Sequence, residues 1–304
     1  MRTNTLIKIL SVFSAISLAG CDVKDPIYNT PHPGHGKITL TTDWTNRTAG
    51  IDIPASYTVV TGDYATVVSG ASNTLDRLFE PGTYRAHIYN TPEHITVSGT
   101  VVTVSGASGN VDGVGQFVQE MPGWLFTGAV DATIEADTDY ALAAVMQQQV
   151  RQLTLFIEPT GGTTDRIESI EGYLSGVAST LDMDNGTHAA PLNAALVFTK
   201  VTDGTNAGKW AATVRLLGVT GNRQTLHVTI FFEGNAPKPV SLTDGDGNEG
   251  CNLTAVLAAF NANKATPLTL GGKVVETPTG AGFTATIIDW TAGNGSGDDI
   301  DANM

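Results

Sequence analysis

Few residues in this chain are of a type and spacing that could do chemistry. His32-Pro33-Gly34-His35 is the closest histidine pair, and it lacks an acidic third ligand in rigid register, so both read as solvated linker histidines. His87 and His94 flank a hairpin tip at Asn90-Thr91-Pro92, where only a loose site is conceivable. Asp244-Gly245-Asp246-Gly247-Asn248-Glu249 imitates the opening of a calcium loop. It departs where the ligation is made: Glu249 holds the glycine position, and Ala255 stands where the bidentate carboxylate belongs. The pairs Asp182/Asp184 and Asp298/Asp299 sit in turn and tail sequence. No Gly-x-Ser-x-Gly elbow, phosphate-binding glycine loop or His-Glu-x-x-His is present. No catalytic residue, metal site or cofactor is therefore expected, and the chain reads as a non-enzyme.

The two cysteines differ sharply in setting. Cys251 has no partner for a disulfide framework or a cysteine metal site and reads as a small buried hydrophobe. Cys21 directly follows Leu18-Ala19-Gly20. Ahead of it, Arg2 and Lys8 form a positive region and Ile9 to Ala19 a short apolar one, too short to stay in a bilayer as a permanent helix. The arrangement resembles a bacterial lipobox, in which the leader is cut before the cysteine and the thiol receives a diacylglyceryl group. The alternative is an ordinary secretory signal with a chance cysteine. As a lipobox, residues 1–20 are a lipoprotein signal peptide and Cys21 carries the anchor. Each buried methylene adds about 0.8 kcal/mol, so two or three acyl chains such as palmitate hold a soluble domain on a membrane.

Composition sets the frame that positions these residues. Loss of the leader removes Arg2 and Lys8, shifting the formal charge from −14 to about −16. A surface so acidic has no patch for nucleic acid. Charged residues make up only 15%, with 34 glycines, which favours strands and turns. The length suits two domains of about 130 residues. Residues 21–36, rich in proline and glycine, read as a tether.

Alternation then marks strands. Ile38, Leu40 and Thr42 alternate with Lys37, Thr39 and Thr41 before Asp43-Trp44; Tyr84, Ala86 and Ile88 share one face of a strand opened by Pro81-Gly82; Ile95 to Val104 is another β-rich run. A strand over 139–146 ends one domain and a strand over 150–158 begins the next. The expected organisation is thus an N-terminal β-sandwich over 37–147, a C-terminal one over 148–290, and a polar disordered tail over 291–304. One helix is expected in the second domain, where Leu253, Val256, Leu257 and Phe260 fall at i, i+3, i+4 and i+7 with Asn252 placed to cap it.

Thr41-Thr42-Asp43-Trp44, Glu80-Pro81-Gly82-Thr83-Tyr84-Arg85 and Tyr89-Asn90 resemble the start of the first domain in the fimbrial anchor and fimbrillin-like lipoproteins of the Bacteroidetes. Val150-Arg151-Gln152-Leu153-Thr154 with Ile157-Glu158-Pro159 is similar to the opening strand of their second domain. The likeness continues through Val214-Arg215-Leu216-Leu217-Gly218 and Phe283-Thr284-Ala285-Thr286-Ile287, and runs from about residue 18 to 290. It implies two tandem transthyretin-like antiparallel sandwiches, lipid-anchored at the outer membrane and surface-exposed in a fimbrium. It also implies partnership with fimbrial subunits by β-strand addition, in the service of cell adhesion.

The resemblance leaves roles open. In such families stalk subunits lose an N-terminal strand to a protease cutting after arginine; here the corresponding residue is Arg47, which also suits a turn. An anchor or accessory subunit keeps that strand and the lipid. A fimbrial stalk or tip subunit activated at Arg47 is one alternative, and a surface glycan- or ligand-binding lipoprotein another. The latter would need exposed rings: Trp44, Trp210 and Trp290 sit in strand sequence, which leaves Trp124 of Met121-Pro122-Gly123-Trp124.

Overall fold

The computed structural model describes residues 31–106, 113–160, 164–235, 239–243, 247–279 and 282–292, with the backbone alone from residue 275 onward. The leader with Leu18, Ala19, Gly20 and Cys21 lies outside the described residues, as do Asp244, Asp246 and most of the tail with Asp298 and Asp299.

Before residue 149 the chain forms β1 (Gly36–Asp43), β2 (Tyr57–Thr61), β3 (Tyr64–Val68), β4 (Ser72–Phe79), β5 (Gly82–Tyr89), β6 (Ile95–Ser98), β7 (Val101–Val104), β8 (Phe126–Ile134), β9 (Thr138–Val145) and β10 (Gln147–Gln148). The alternation read in β1 is real: Ile38, Leu40 and Thr42 are buried while Thr41 and Asp43 are exposed. Two-residue loops, Gly62-Asp63 and Gly99-Thr100, close β2–β3 and β6–β7. In each the glycine sits at positive φ, 58° and 60°, which lets the turn follow the strands' twist.

A three-stranded sheet, ordered β4-β1-β9, packs on a five-stranded one, ordered β10-β8-β5-β2-β3. Leu40, Val59, Phe79, Ile88 and Phe126 fill the space between them. β1 runs antiparallel to β4 and parallel to β9, the latter in unbroken register from Gly36↔Thr138 to Asp43↔Val145.

After the linker come β11 (Arg151–Thr160), β12 (Ile167–Asp182), β13 (His188–Lys200), β14 (Trp210–Leu216), β15 (Thr225–Phe232), β16 (Val240–Thr243), β17 (Cys251–Asn252), helix α1 (Thr254–Leu257), β18 (Leu268–Thr279) and β19 (Gly282–Ala292). Pairing runs β11-β14-β13-β12-β15-β16-β19-β18 and back to β11, so the strands form a hydrogen-bonded circuit around the larger core. β12 can take part because it bends. A bulge between Leu174 and Val177 contains Gly176 at φ 71°, and Gly172 lets β15 approach so closely that a Cβ would collide with the His227 carbonyl. The fold is all-β, as the sequence predicts, although β1–β9, β11–β18 and β16–β19 pair in parallel.

The helix is present but only one turn long. Leu253, Leu257 and Phe260 are fully buried, so the spacing marked the inward face correctly. Leu253 occupies the cap position without a side-chain bond, and Asn252 Oδ1 instead accepts from the Thr254 N–H (3.0 Å) in an Asx turn.

Where the two sandwiches meet, a third small core forms. The β6–β7 hairpin pairs with the far end of β12 (Val101↔Asp182 to Thr103↔Thr180), although it precedes the linker by more than a whole strand. Its Ile95, Val102 and Val104 pack with Leu125, Val150, Leu181 and Leu217.

Candidate functional site

The feature with functional potential is β1 together with the loop that follows it. Ile38 and Leu40 lie in the core, and each buried side chain of that size contributes about 1.5–3 kcal/mol. Trp44 anchors the end of the strand. It meets Tyr57 and Phe126 edge-on, each at 5.6 Å between ring centres, and its Nε1–H donates to Thr42 Oγ1 (2.9 Å). Beyond Trp44 the chain folds back on itself. Arg47 donates to the Trp44 carbonyl (2.7 Å) and the Ile51 carbonyl (3.0 Å), so its guanidinium is bound to its own loop. Thr48 then ties that loop across the junction, its N–H to Gln148 Oε1 (2.8 Å) and its hydroxyl to the Ala265 carbonyl (2.8 Å).

The start of β1 is tied as well. His32, expected as a solvated linker residue, is 3% exposed. The correction has a local cause: the turn from His32 to His35 docks on the β8–β9 turn. Gly34 N–H donates to Asp137 Oδ1 and the Asp137 N–H to the His35 carbonyl (both 2.9 Å). The His32 ring sits between the His35 carbonyl (2.9 Å) and the exposed Asp139 carboxylate (3.0 Å), which together hold its pKa above the ordinary value. Its partner His35 remains more open, hydrogen-bonded to the Pro33 carbonyl.

The other sequence candidates disperse. His87 and His94 form no joint site, for His87 faces Asp184 (3.3 Å) and His94 faces Glu120 (3.0 Å). Asp182 organises its own turn, accepting from the Asp184 N–H and the Asn185 amide. Asp184 reaches instead to Arg85 of β5 (2.9 Å), which also grips Asp131 through both oxygens. That ion pair spans the two sandwiches. Trp124 is half-buried beneath the Arg215 guanidinium, 5.5 Å from its ring centre, and packs against two of the cores. It offers no exposed platform. Trp44 and Trp210 are core residues, and Cys251 is buried. Among the described residues no three His, Cys, Asp or Glu could hold a metal ion, and no helix is long and apolar enough to cross a membrane.

One cluster escaped the sequence reading. Lys264, 7% exposed, directs its ammonium at His188 Nε2 (2.8 Å), the Leu217 carbonyl (3.0 Å) and Gln149 Oε1 (3.2 Å). Burial lowers the Lys264 pKa to about 7, and burial together with the nearby lysine lowers that of His188 to about 4. No periodicity or motif marks either residue, since their meeting depends on chain segments 76 residues apart.

These features define a two-sandwich β protein whose N-terminal three-stranded sheet has β1 as its middle strand. The family of fimbrillin-A associated anchor proteins Mfa1 and Mfa2 matches residues 82–291, and the chain belongs to it. None of the curated proteins matches. Among solved structures, a protein from Bacteroides ovatus described as a candidate adhesin is similar with a TM-score of 0.55 at 16% identity, covering 90% of this chain and 98% of that one. A second from Bacteroides ovatus, described likewise, gives 0.58 at 12% identity over 86% and 96%. The fimbrial anchor protein Mfa2 from Porphyromonas gingivalis gives 0.54 at 13% identity over 85% and 97%. At such identities the structures show a shared fold. Family membership places the chain among fimbrial accessory and adhesion proteins, a structural class and not an enzyme class.

Proposed function

We propose that this chain is a lipid-anchored fimbrial anchor or accessory subunit. In this reading Cys21 carries the acyl chains at the outer membrane, 37–147 and 148–290 are its two domains, and an adjoining fimbrial subunit is held by β-strand addition. The observation that carries the reading is the position of β1. It is the middle strand of its sheet, buried on one face, and the Arg47 guanidinium is folded back onto its own loop. A subunit that keeps such a strand remains joined to whatever precedes it, here the proposed lipid. Strand addition then follows from general sheet chemistry: an incoming strand takes main-chain hydrogen bonds along an open edge and places alternate side chains between the sheets.

The stalk or tip alternative, with activation after Arg47, draws on the same strand, since its removal would part β4 from β9. Membrane fractionation in the native cell tests the anchor. Cys21→Ala is expected to leave both sandwiches folded and to move the protein out of the detergent phase. If the variant still partitions with detergent as the parent does, the lipid assignment fails.

A further inference from the structure

The two open sides of the N-terminal sandwich are built differently. On one side β3 and β4 are the edge strands, and side chains lace them together. The Tyr64 hydroxyl donates to Asp76 (2.6 Å), Arg77 pairs with Asp63 at the β2–β3 turn (2.7 Å), and the Arg77 guanidinium lies 5.8 Å from the Tyr64 ring centre. β4 itself carries Asp76 and Arg77, and its register with β1 is broken between Lys37 and Thr39. Charges and bulges of this kind keep a sheet edge from pairing with other chains.

The opposite side lacks these guards. Among the described residues β9 pairs only with β1, in register from end to end, and from Tyr140 to Val145 it contains no charge, proline or bulge. Across from it β8 pairs with β5 alone beyond Thr127, because β10 covers just Phe126 and Thr127. The turn joining β8 to β9 is braced by the Tyr140 hydroxyl, which accepts from the Glu135 N–H (2.7 Å). Among the described residues no side-chain hydrogen bond or ion pair crosses between the two strands themselves. Burial records the result. Ile38 and Leu40 of β1 are 4% and 1% exposed, whereas Tyr140 and Leu142 of β9 and Val130 and Ala132 of β8, packed on the same core, are only half-buried. The apolar space beneath β1 reaches Val130, Ala132 and Leu142 on this side.

Building on the anchor reading, we infer that the free edge of β9 receives the strand of the adjoining fimbrial subunit, a strand with apolar side chains at alternate positions and lysine or arginine at its ends. Backbone N–H and C=O groups spaced along eight residues, about 26 Å, select an extended chain over any other occupant. Alternate side chains of that chain enter between β8 and β9 and cover Leu142 and Val130, and the sheet gains a fourth strand. Charge sets the ends. Glu135 and Asp139 stand exposed at one end of β9, and the exposed Asp43 lies beside Val145 at the other, on a chain of formal charge −14. The same charge opposes a second copy, whose β9 would bring its own acidic groups to the edge. β1 stays in place throughout, so the step is addition and not exchange.

The probe is the peptide Lys-Lys-Ile-Thr-Leu-Thr-Thr-Lys, which is Lys37–Thr42 of β1 with a lysine added at each end. It is added to the full-length protein in detergent, and amide hydrogen exchange is followed by mass spectrometry. With the peptide at about ten times its Kd, exchange over Thr138–Val145 should slow about tenfold, with β4 unchanged and β1 still protected. A peptide of the same composition with isoleucine and leucine adjacent should bind about tenfold more weakly. Leu142→Lys, which turns a charge into the groove, should weaken binding by about as much. Ala143→Lys, on the exposed face where the fold tolerates it, should weaken binding by a smaller factor that salt removes. Leu78→Lys on the exposed face of β4 should change nothing. Absence of binding up to about 1 mM overturns the inference. So does equal binding of the two peptides, an edge already protected before peptide is added, protection of β4 with exposure of β1, or a dimer formed through β9 without peptide. Detergent partition of Cys21→Ala judges the lipid assignment separately, so either can fail while the other stands.

Discussion

In the N-terminal sandwich β1 lies between β4 and β9 in a sheet of three strands, whereas in the C-terminal sandwich eight strands close on one another in a circuit of hydrogen bonds. Removing β1 would leave two edges facing a groove. Removing a strand from the circuit would break two ladders of a structure that otherwise has few edges to offer. A small apolar space of about 10 Å³ sits beneath β1, lined by Ile38, Leu40, Leu75, Ala86 and Leu142 among others. On the proposed reading strand exchange falls to the first sandwich, whose three-stranded sheet parts when β1 leaves, and the hold on β1 decides whether it is used.

The comparison breaks most readily at Trp44. Trp44→Ala should destabilise the N-terminal sandwich by about 3–5 kcal/mol, since it removes a buried ring, two edge-on contacts and the indole hydrogen bond to Thr42. Urea unfolding should separate into two transitions, with the C-terminal one unmoved. A single transition shifted as a whole would show that the junction core makes both sandwiches one cooperative unit.

A pH series sharpens the comparison from the other side. His188 has a lowered folded pKa, so the unfolded chain binds the extra proton first, and stability should fall as pH drops from about 6.5 to about 4. Lys264 is lowered too. Its unfolded form keeps its proton up to 10.5, so stability should climb as pH rises from about 7 towards 10.5. Denaturation across that range should show the climb, and Lys264→Met should flatten it while leaving the N-terminal transition alone. A climb that survives the substitution assigns it to other groups.

The smallest expected effect is at the ion pair joining the sandwiches. Arg85→Gln should cost little stability, because Arg85 and both carboxylates are substantially exposed. The loss should vanish at high salt. A larger, salt-independent loss would mean that Arg85 sets the relation of the two sandwiches.

The sequence was most legible where a property is local. Alternation in β1 and β5 and the inward face of Leu253, Leu257 and Phe260 depend on neighbours in the chain, whereas the run Ile95 to Val104 is split by the Gly99-Thr100 turn into two strands. The length of α1 did not follow from that spacing, because a short helix gains little from propagation and here ends after one turn. The destination of the β6–β7 hairpin was equally hidden. Ile95, Val102 and Val104 alternate in the same way whichever sheet they join. His32 was misread because its cover is Asp139, 107 residues further on. The Lys264 cluster carries no local signal at all, being made of ordinary polar residues that only the junction brings together.

Limited trypsin digestion of the full-length protein, followed by size-exclusion chromatography, tests the hold on β1 most directly. If β1 is kept, the bond after Arg47 resists cleavage while the protein is folded, and the protein elutes as a monomer carrying its N-terminal segment. Cleavage at Arg47 that releases the strand, with the trimmed protein then assembling into ladders or fibres, would contradict the anchor reading and assign the chain to the fibre itself.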